Sequence, residues 1–230
     1  MGLDNMEKFD ILKCKENSEA GQHFSLPVFD CSGLKMAELI CVDKYLASSG
    51  EIVSLLTQWR ANAQENFFTQ FHVTEERTAS WLKEIVIPSK DRILFLIRLE
   101  SGEWVGNYGV CNMGDHGGEL DNAIRGRLGG AADLMFYCEI SLLSWLFGVL
   151  NYHDVWLHVF SNNVPAILLH RMTGFSVLDR MALVKYSVDG NVTYSAHVMR
   201  TDGVIYEKFD YMKMAMTRDF FYENHPWVLR

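Results

Sequence analysis

A glycine- and arginine-rich loop lies near the middle of the chain, where Arg125–Ala131 (Arg-Gly-Arg-Leu-Gly-Gly-Ala) leads into a long apolar stretch. Glycine lets the backbone approach a ligand closely, and the first turn of a helix offers unpaired amides and a dipole that favours anions. Arginine adds forked donors that suit phosphate oxygens. The loop therefore predicts a phosphate-binding turn. A plain surface turn is the alternative, because the loop matches neither a P-loop nor the Gly-x-Gly-x-x-Gly fingerprint.

Residues suited to acid–base chemistry stand just before this loop. His116 lies in a glycine-containing turn, and imidazole titrates near neutral pH. Glu119 and Asp121 follow on a segment with strand character, whose alternation places both side chains on one face. These groups could take a proton from a bound substrate, or they could be ordinary solvated residues of a turn and a strand.

The elements around the loop follow from the pattern of apolar residues. Arg92–Glu100, Trp104–Met113 and Glu119–Ile124 are apolar runs separated by short glycine-containing turns, which predicts an antiparallel meander. Ala132–Leu150 predicts a largely buried helix, and Asp154–Phe160 predicts a strand. The order strand, helix, strand predicts a right-handed crossover between roughly parallel neighbours.

Other segments predict further helices and strands on either side of this unit. Leu46–Asn62 and the segment from Thr74 to Pro88 have the periodicity of helices. Ala166–Met172 predicts a short helix that ends at Gly174. A hairpin across Asp189-Gly190-Asn191 is expected next, and the apolar segment Tyr206–Phe221 predicts either a helix or a strand followed by a helix.

Composition excludes several classes of protein. The chain has 230 residues, of which 49% are hydrophobic and 22% charged, and this is typical of a globular domain with a sizeable core. Its formal net charge of -8 argues against nucleic acid as the main partner. No charge-free apolar run is long enough for a membrane span. The five scattered cysteines form no Cys-x-x-Cys pair, so we expect reduced thiols in a cytoplasmic protein without a metal site.

Two motifs carry a resemblance to the GCN5-related N-acetyltransferase (GNAT) superfamily. Asn163-x-x-Ala166-x-x-x-His170-x-x-x-Gly174-Phe175 is similar to the family's Asn-x-x-Ala…Tyr…Gly-Phe signature, with histidine at the usual tyrosine position. The Arg125–Ala131 loop is similar to the family's acyl-CoA pyrophosphate loop, Arg/Gln-x-x-Gly-x-Gly/Ala, when Arg127 takes its first position.

Two weaker similarities extend the match. Trp59-Arg60 followed by Thr74–Trp81 resembles the helical pair near the start of the ribosomal-protein and sugar acetyltransferase branches. Trp104–Gly109 resembles the family's third strand. The resemblance covers roughly residues 46–198 and leaves 1–45 as an N-terminal extension and 201–230 as a C-terminal segment packed on the core of a single domain.

The resemblance implies an α+β GNAT fold: a mixed, mostly antiparallel central sheet with flanking helices and a V-shaped acyl-CoA slot. It implies an acyl-CoA-dependent N-acyltransferase in which pantetheine pairs with the edge of Glu119–Ile124. His116 is then the favoured base, with Asp121 and Glu119 next, and His170 occupies the position of the acid. The residues expected to bind acyl-CoA are Ile124, Arg125, Gly126, Arg127, Gly129, Gly130, Ala131 and Asn163.

The acceptor is the least determined part of this interpretation. Three segments have sequences that look most like those of enzymes that acylate amino sugars on nucleotide carriers: Asp121–Arg127, Asp133–Met135 and Ser144–Leu146. We expect Phe24, Phe29 and Tyr45 of the N-terminal extension to help bind such an acceptor. Two alternatives remain open for the function: an acceptor that is a protein N-terminus or a small amine, and a non-catalytic CoA-binding module. The protein could also form a homodimer. Asn163 could bind the pantetheine amides or only cap a helix.

Overall fold

The structure, a computed structural model, describes residues 10–16 and 22–229. Ten strands form one sheet in the order β1-β2-β4-β5-β6-β7-β10-β8-β9-β3. The strands are β1 Ser25–Phe29, β2 Lys35–Cys41, β3 Thr69–Gln70, β4 Ile93–Leu99, β5 Trp104–Cys111, β6 Gly117–Arg125, β7 Asp154–Phe160, β8 Ser176–Val188, β9 Asn191–His197 and β10 Asp210–Thr217. Every neighbouring pair in this order is antiparallel except β6 and β7, which run parallel.

Seven helices accompany the sheet within the described residues. They are α1 Ile11–Glu16, α2 Lys44–Ala47, α3 Gly50–Asn62, α4 Glu75–Trp81, α5 Leu134–Gly148, α6 Val164–Thr173 and α7 Arg218–Asn224. A π-helical turn, Leu82–Val86, continues α4. None of the helices in these ranges is long and apolar enough to cross a membrane.

Most of the predicted elements are present. The meander is β4, β5 and β6, and the strand Asp154–Phe160 has the predicted bounds. The long helix is two residues shorter at each end than Ala132–Leu150. The helix expected over Leu46–Asn62 is broken at Ser48 and Ser49, where Asp43 caps the short α2 and a second helix begins at Gly50.

Strands from residues 25–41 and 210–217 are part of the central sheet. β2 pairs with β4, and β1 covers β2. β10 lies between β7 and β8. Strand pairing therefore joins segments that are distant in sequence into one sheet.

The sheet has helices on both faces. On one face, called the α5 face here, α5 and α7 pack on the largest apolar cluster, which includes Leu120, Leu157 and Phe221. On the other, the α3–α4 face, Trp59, Leu56 and Leu82 pack against Leu94 and Leu96 of β4. The α3–α4 face also holds the side chains that concern the candidate site.

Candidate functional site

β6 and β7 separate part-way along their length. They pair from Gly117 with Asp154 to Leu120 with Leu157, and no later residues of the two strands are paired. A register shift in the β5–β6 pairing gives β6 one extra residue next to Asn122, whose φ is +50°. Asn107 holds this bulge, because its Nδ2 donates to the Asn122 carbonyl at 2.6 Å. The result is a cleft whose β6 side has a free backbone edge.

The Arg125–Ala131 loop follows β6 at the open end of this cleft. The Arg125 side chain holds the loop in shape through hydrogen bonds to its backbone. Its guanidinium donates to the carbonyl oxygens of Gly129 at 2.6 Å, Ala131 at 3.1 Å and Ala132 at 3.4 Å. In a trans peptide, N–H and C=O point in opposite directions. The amides that follow these three carbonyls, those of Gly130, Ala132 and Asp133, therefore point away from Arg125.

These amides are available to a ligand. Within the described residues, no backbone or side-chain acceptor is recorded for the amides from Leu128 to Asp133, just before α5 begins. Gly130 has a φ of +67°, and a Cβ there would lie 2.9 Å from Cδ2 of Leu99, so the loop needs glycine at this position. A row of unpaired amides at the start of a helix suits a phosphate group.

The other predicted loop residues have distinct positions. The backbone amides of Gly126 and Arg127 both donate to the carbonyl of Val105, so neither amide is available to a ligand. The Arg127 side chain is exposed. A Cβ on Gly126 would meet the Trp59 ring at 2.2 Å. Ile124 is buried and lines a pocket on the α3–α4 face.

Asn163 caps α6 immediately after β7. Its Oδ1 accepts from the Ala166 amide at 3.4 Å, so the capping role considered for this residue is present. Within the described part of the chain, its Nδ2 has no recorded acceptor. Because β6 and β7 are parallel, Asn163 and the Arg125–Ala131 loop lie at the same end of the cleft.

A pocket of about 330 Å³ lies beside the bulge on the α3–α4 face. Its wall includes four aromatic side chains and three arginines. Its lining residues are Leu56, Arg60, Phe67, Phe68, Thr69, Phe71, Val73, Arg77, Thr78, Trp81, Arg92, Asn107, Asp121, Asn122 and Ile124. We call this space the α3–α4 pocket.

Two arginines of the α3–α4 pocket are held against aromatic rings. The Arg60 guanidinium lies 3.2 Å from the ring centre of Phe67 and donates to the Thr69 carbonyl. Arg77 lies 5.2 Å from the ring centre of Phe71. Burial lowers the pKa of Arg60 to about 10, which still leaves it charged at neutral pH.

A carboxylate completes the pocket. Asp121 Oδ2 accepts from Arg92 Nη1 at 2.6 Å, and both side chains are about a quarter to a third exposed. The buried Oδ1 of Asn107 has no partner among the described residues. The pocket therefore combines fixed cations and aromatic faces with oxygen acceptors next to the bulge.

Glu119 lies on the same face of β6 as Asp121, one step towards the closed end of the cleft. Its Oε1 is 2.6 Å from Nδ1 of His158 on β7, and its Oε2 accepts from Asn112 at 2.7 Å. The strand alternation correctly predicted that Glu119 and Asp121 share a face. Sequence reasoning gave His158 no role, although the alternating row Trp156, His158 and Phe160 marks one face of β7.

The two other histidines expected at the site lie elsewhere. The carbonyl of His116 accepts from His153 at the closed end of the cleft, roughly 15 Å along β6 from Asp121. His170 is 5% exposed on the α5 face, where Nδ1 lies 2.9 Å from Glu139 Oε2. The structure brings neither imidazole to the α3–α4 pocket.

The three aromatic residues of the N-terminal segment that were expected to help bind the acceptor lie outside the α3–α4 pocket. Phe24 packs against Phe95 and Trp145 on the α5 face. Phe29 and Tyr45 are exposed and line no part of the α3–α4 pocket. Much of the pocket wall instead comes from residues 56–81. The cluster Phe67, Phe68 and Phe71 was the available signal in the sequence.

The described residues contain no group of three His, Cys, Asp or Glu side chains that could hold a metal ion. The sequence matches no protein-family profile and no curated protein.

Solved structures do share the fold. RimL, a ribosomal L7/L12 alpha-N-protein acetyltransferase in complex with coenzyme A, gives a TM-score of 0.63 at 12% identity, covering 84% of this chain and 98% of that one. FdhC, a nucleotide-linked sugar GNAT, gives 0.61 at 12% identity and covers 90% and 97% of the two chains. A probable GNAT-family acetyltransferase from Chromobacterium violaceum gives 0.61 at 16% identity, with 89% and 94% covered.

Similarity at this level of identity establishes the fold. The expected α+β architecture is confirmed: a mostly antiparallel sheet with helices on both faces opens between two parallel strands. The chain therefore has the GNAT acetyltransferase fold that its sequence resembled.

Proposed function

We propose that this protein is an acyl-CoA-dependent N-acyltransferase whose acceptor is the amine of a nucleotide-linked amino sugar. The observation that carries the proposal is the cleft between β6 and β7, with unpaired loop amides at its open end and the α3–α4 pocket on one face. The two binding regions meet at the Asn122 bulge. A thioester and an amine held from opposite directions would have their reacting atoms close together there.

The loop supports binding of the acyl-CoA pyrophosphate. The amides of Gly130, Ala132 and Asp133 would donate to phosphate oxygens, with Arg125 holding the loop in shape. Asn163 Nδ2 would donate to a pantetheine carbonyl. Beyond Leu120, the free edge of β6 would pair with pantetheine and place an amide near the thioester oxygen.

The α3–α4 pocket supports an acceptor that is both anionic and aromatic. Arg60 and Arg77 are fixed cations beside Phe67 and Phe71, so a phosphate and a flat base would find partners in the same wall. Asp121 lies next to the bulge, where it would attract the ammonium group of the sugar. The phosphate would thus bind at the two arginines, the base at the two phenylalanine rings and the sugar ammonium at Asp121.

Other acceptors fit the pocket less well. Solved structures of this fold include a spermidine N-acetyltransferase from Vibrio cholerae, with a TM-score of 0.55 and 12% identity over 75% of this chain and 94% of that one, and RimL, described as acting on a protein. The fold therefore does not determine the acceptor. Arg60 and Arg77 in the pocket wall oppose a polycationic acceptor by charge repulsion. We place the reaction in the cytoplasm, in agreement with five free cysteines.

Two measurements test the proposal. Calorimetry with acetyl-CoA and with desulfo-CoA should detect binding at one site. Release of the CoA thiol should then be followed with a nucleotide-linked amino sugar, the same sugar without its nucleotide, a peptide and spermidine. We expect the nucleotide-linked amine to give the highest kcat/KM. A peptide or spermidine with a comparable kcat/KM would contradict the acceptor, and absence of acetyl-CoA binding would contradict the activity.

A further inference from the structure

His158 and Glu119 form a hydrogen-bonded pair at the point where the cleft opens. Glu119 Oε1 lies 2.6 Å from His158 Nδ1, while Oε2 accepts from Asn112 Nδ2 at 2.7 Å and Trp156 Nε1 at 3.3 Å. Burial raises the pKa of Glu119, but the hydrogen bonds from His158 and Asn112 outweigh burial and leave that pKa below its usual value. Glu119 is therefore an ionised carboxylate at neutral pH.

This contact fixes the tautomer of a neutral His158. An ionised carboxylate only accepts hydrogen bonds, so Nδ1 must carry the proton, and Nε2 is left with its lone pair. Among the described residues, no hydrogen-bond partner of Nε2 is recorded, and the side chain is 20% exposed. The structure therefore contains an oriented imidazole with a free basic nitrogen.

His158 lies where the cleft opens, on the same face of the sheet as the α3–α4 pocket. Leu120 and Leu157 are the last paired residues, so Asp121 and His158 are the first residues beyond the pairing. Strand alternation puts His158 on the α3–α4 face, because Leu157 packs in the α5-face core. The His158 ring stacks at 5.0 Å on Tyr211, whose ring lies 4.8 Å from Phe68 in the wall of the α3–α4 pocket.

We propose that His158 is the catalytic base that takes a proton from the acceptor ammonium, and that Glu119 is the positioning residue that orients its imidazole. The inference rests on the proposed acyltransferase function and names the group that performs its proton transfer. It replaces His116, which lies at the closed end of the cleft.

The proposed step removes two protons from the ammonium and exchanges a C–S bond for a C–N bond. Nε2 takes one proton from the ammonium, and the freed nitrogen lone pair forms the C–N bond at the thioester carbonyl. The C–S bond then breaks, and the thiolate leaves with the bonding electrons. The second proton lost by the amine goes to the thiolate to give the thiol, and the proton on Nε2 passes to water.

Several charged or titratable groups face His158. They are Glu119 and Asp121 of β6 and Lys213, which is paired opposite His158 on β10. Burial raises the pKa of Tyr211 well above its usual value and that of Cys111 to about 12, so both are neutral at pH 7. Asp121 and Arg92 form an ion pair at 2.6 Å and so largely cancel each other's charge.

The tautomer gives a test that needs no acceptor. Nitrogen-15 NMR of the full chain labelled at histidine should show His158 protonated at Nδ1 in its neutral form. In the Glu119→Gln variant this preference should weaken, because the amide can donate to Nδ1 as well as accept from it. Protonation of neutral His158 at Nε2 in the wild-type protein would overturn the proposal.

The kinetic test compares His158→Ala with His153→Ala. His153 also contacts a carboxylate, at 2.9 Å from Asp154, but its side chain is 66% exposed, so it is the matched control. We expect His158→Ala to lower kcat/KM by roughly 10²–10⁴-fold. The fall of kcat/KM at acid pH should disappear in this variant, and its affinity for acetyl-CoA should be unchanged. Added imidazole should restore part of the rate, and His153→Ala should behave as wild type.

Three results would contradict the assignment. Near wild-type kcat/KM with a persisting acid limb in His158→Ala overturns it, as does an equal loss in His153→Ala. A loss in His116→Ala that is greater than the loss in His158→Ala would return the role to His116. Failure of the wild-type protein to bind acetyl-CoA would instead overturn the proposed function, together with this step.

Discussion

The carboxylate of Glu139 and the imidazole of His170 meet at 2.9 Å with both side chains withdrawn from solvent. Glu139 also accepts from the hydroxyls of Tyr108 and Thr173, so the network joins β5, α5 and α6. His170 occupies the sequence position at which the GNAT signature usually has tyrosine. Here this position serves to hold α6 against α5.

The first prediction concerns this network and pH. Burial raises the pKa of Glu139, but His170 and the two hydroxyls lower it more, so its folded pKa lies below the ordinary 4.5. Its stabilising contribution is complete above pH 4.5 and is lost as the pH falls through the lower, folded value. We expect Glu139→Gln to cost about 3 kcal/mol at pH 7, since it breaks a buried pair.

Urea denaturation at pH 7 and at pH 3.5 measures this effect. The difference in unfolding free energy between wild type and Glu139→Gln should shrink at the lower pH. Glu84→Gln, at an exposed position, is the control and should change stability by no more than about 0.5 kcal/mol. A difference that is the same at both pH values would contradict the prediction.

The second prediction concerns the loop. Arg125→Lys retains the positive charge but cannot donate to three carbonyls through a planar fork. We expect its Kd for acetyl-CoA to rise about tenfold, or about 1.4 kcal/mol, because the amides lose their common orientation. Arg127→Lys should shift the Kd less, since its side chain is exposed. An unchanged Kd for Arg125→Lys in calorimetry would mean that Arg125 acts only through its charge.

The third prediction concerns the contact between the loop and α3. A Cβ on Gly126 would lie 2.2 Å from the Trp59 ring, so Gly126→Ala should destabilise the fold by about 1–3 kcal/mol. Gly114→Ala is the control, because nothing lies within 4 Å of its Cβ position. Trp59→Leu should relieve part of the Gly126→Ala penalty in a double-mutant cycle measured by urea denaturation. Additive losses would disprove the steric cause.

The fourth prediction concerns the acceptor. Arg77→Met should raise KM for a nucleotide-linked amino sugar roughly tenfold and leave KM for acetyl-CoA unchanged, because it removes one charged donor from the α3–α4 pocket. Lys83→Met removes the same charge from an exposed position just beyond α4 and is the control. If both variants raise the acceptor KM equally, the effect is one of overall charge rather than of a contact in the pocket.

Local patterns in the sequence determined most of the elements. Continuous apolar runs and short glycine-containing turns are sufficient to predict β4, β5 and β6, since each depends on neighbours within a few residues. The loop after β6 was predicted for the same reason, as its glycines, arginines and following helix are contiguous. The parallel crossover to β7 then follows from the order of strand, helix and strand.

Tertiary structure alone decided which side chains meet at the site. Asp121 meets Arg92 and Glu119 meets His158 across 29 and 39 residues, and those pairs depend on strand register, which no local pattern specifies. The direction of the Arg125 guanidinium, inward to the loop carbonyls, likewise depends on how the loop folds back. Residue types and spacing could therefore predict the loop and the crossover, whereas the α3–α4 pocket and the oriented imidazole exist only because distant strands are paired in one register.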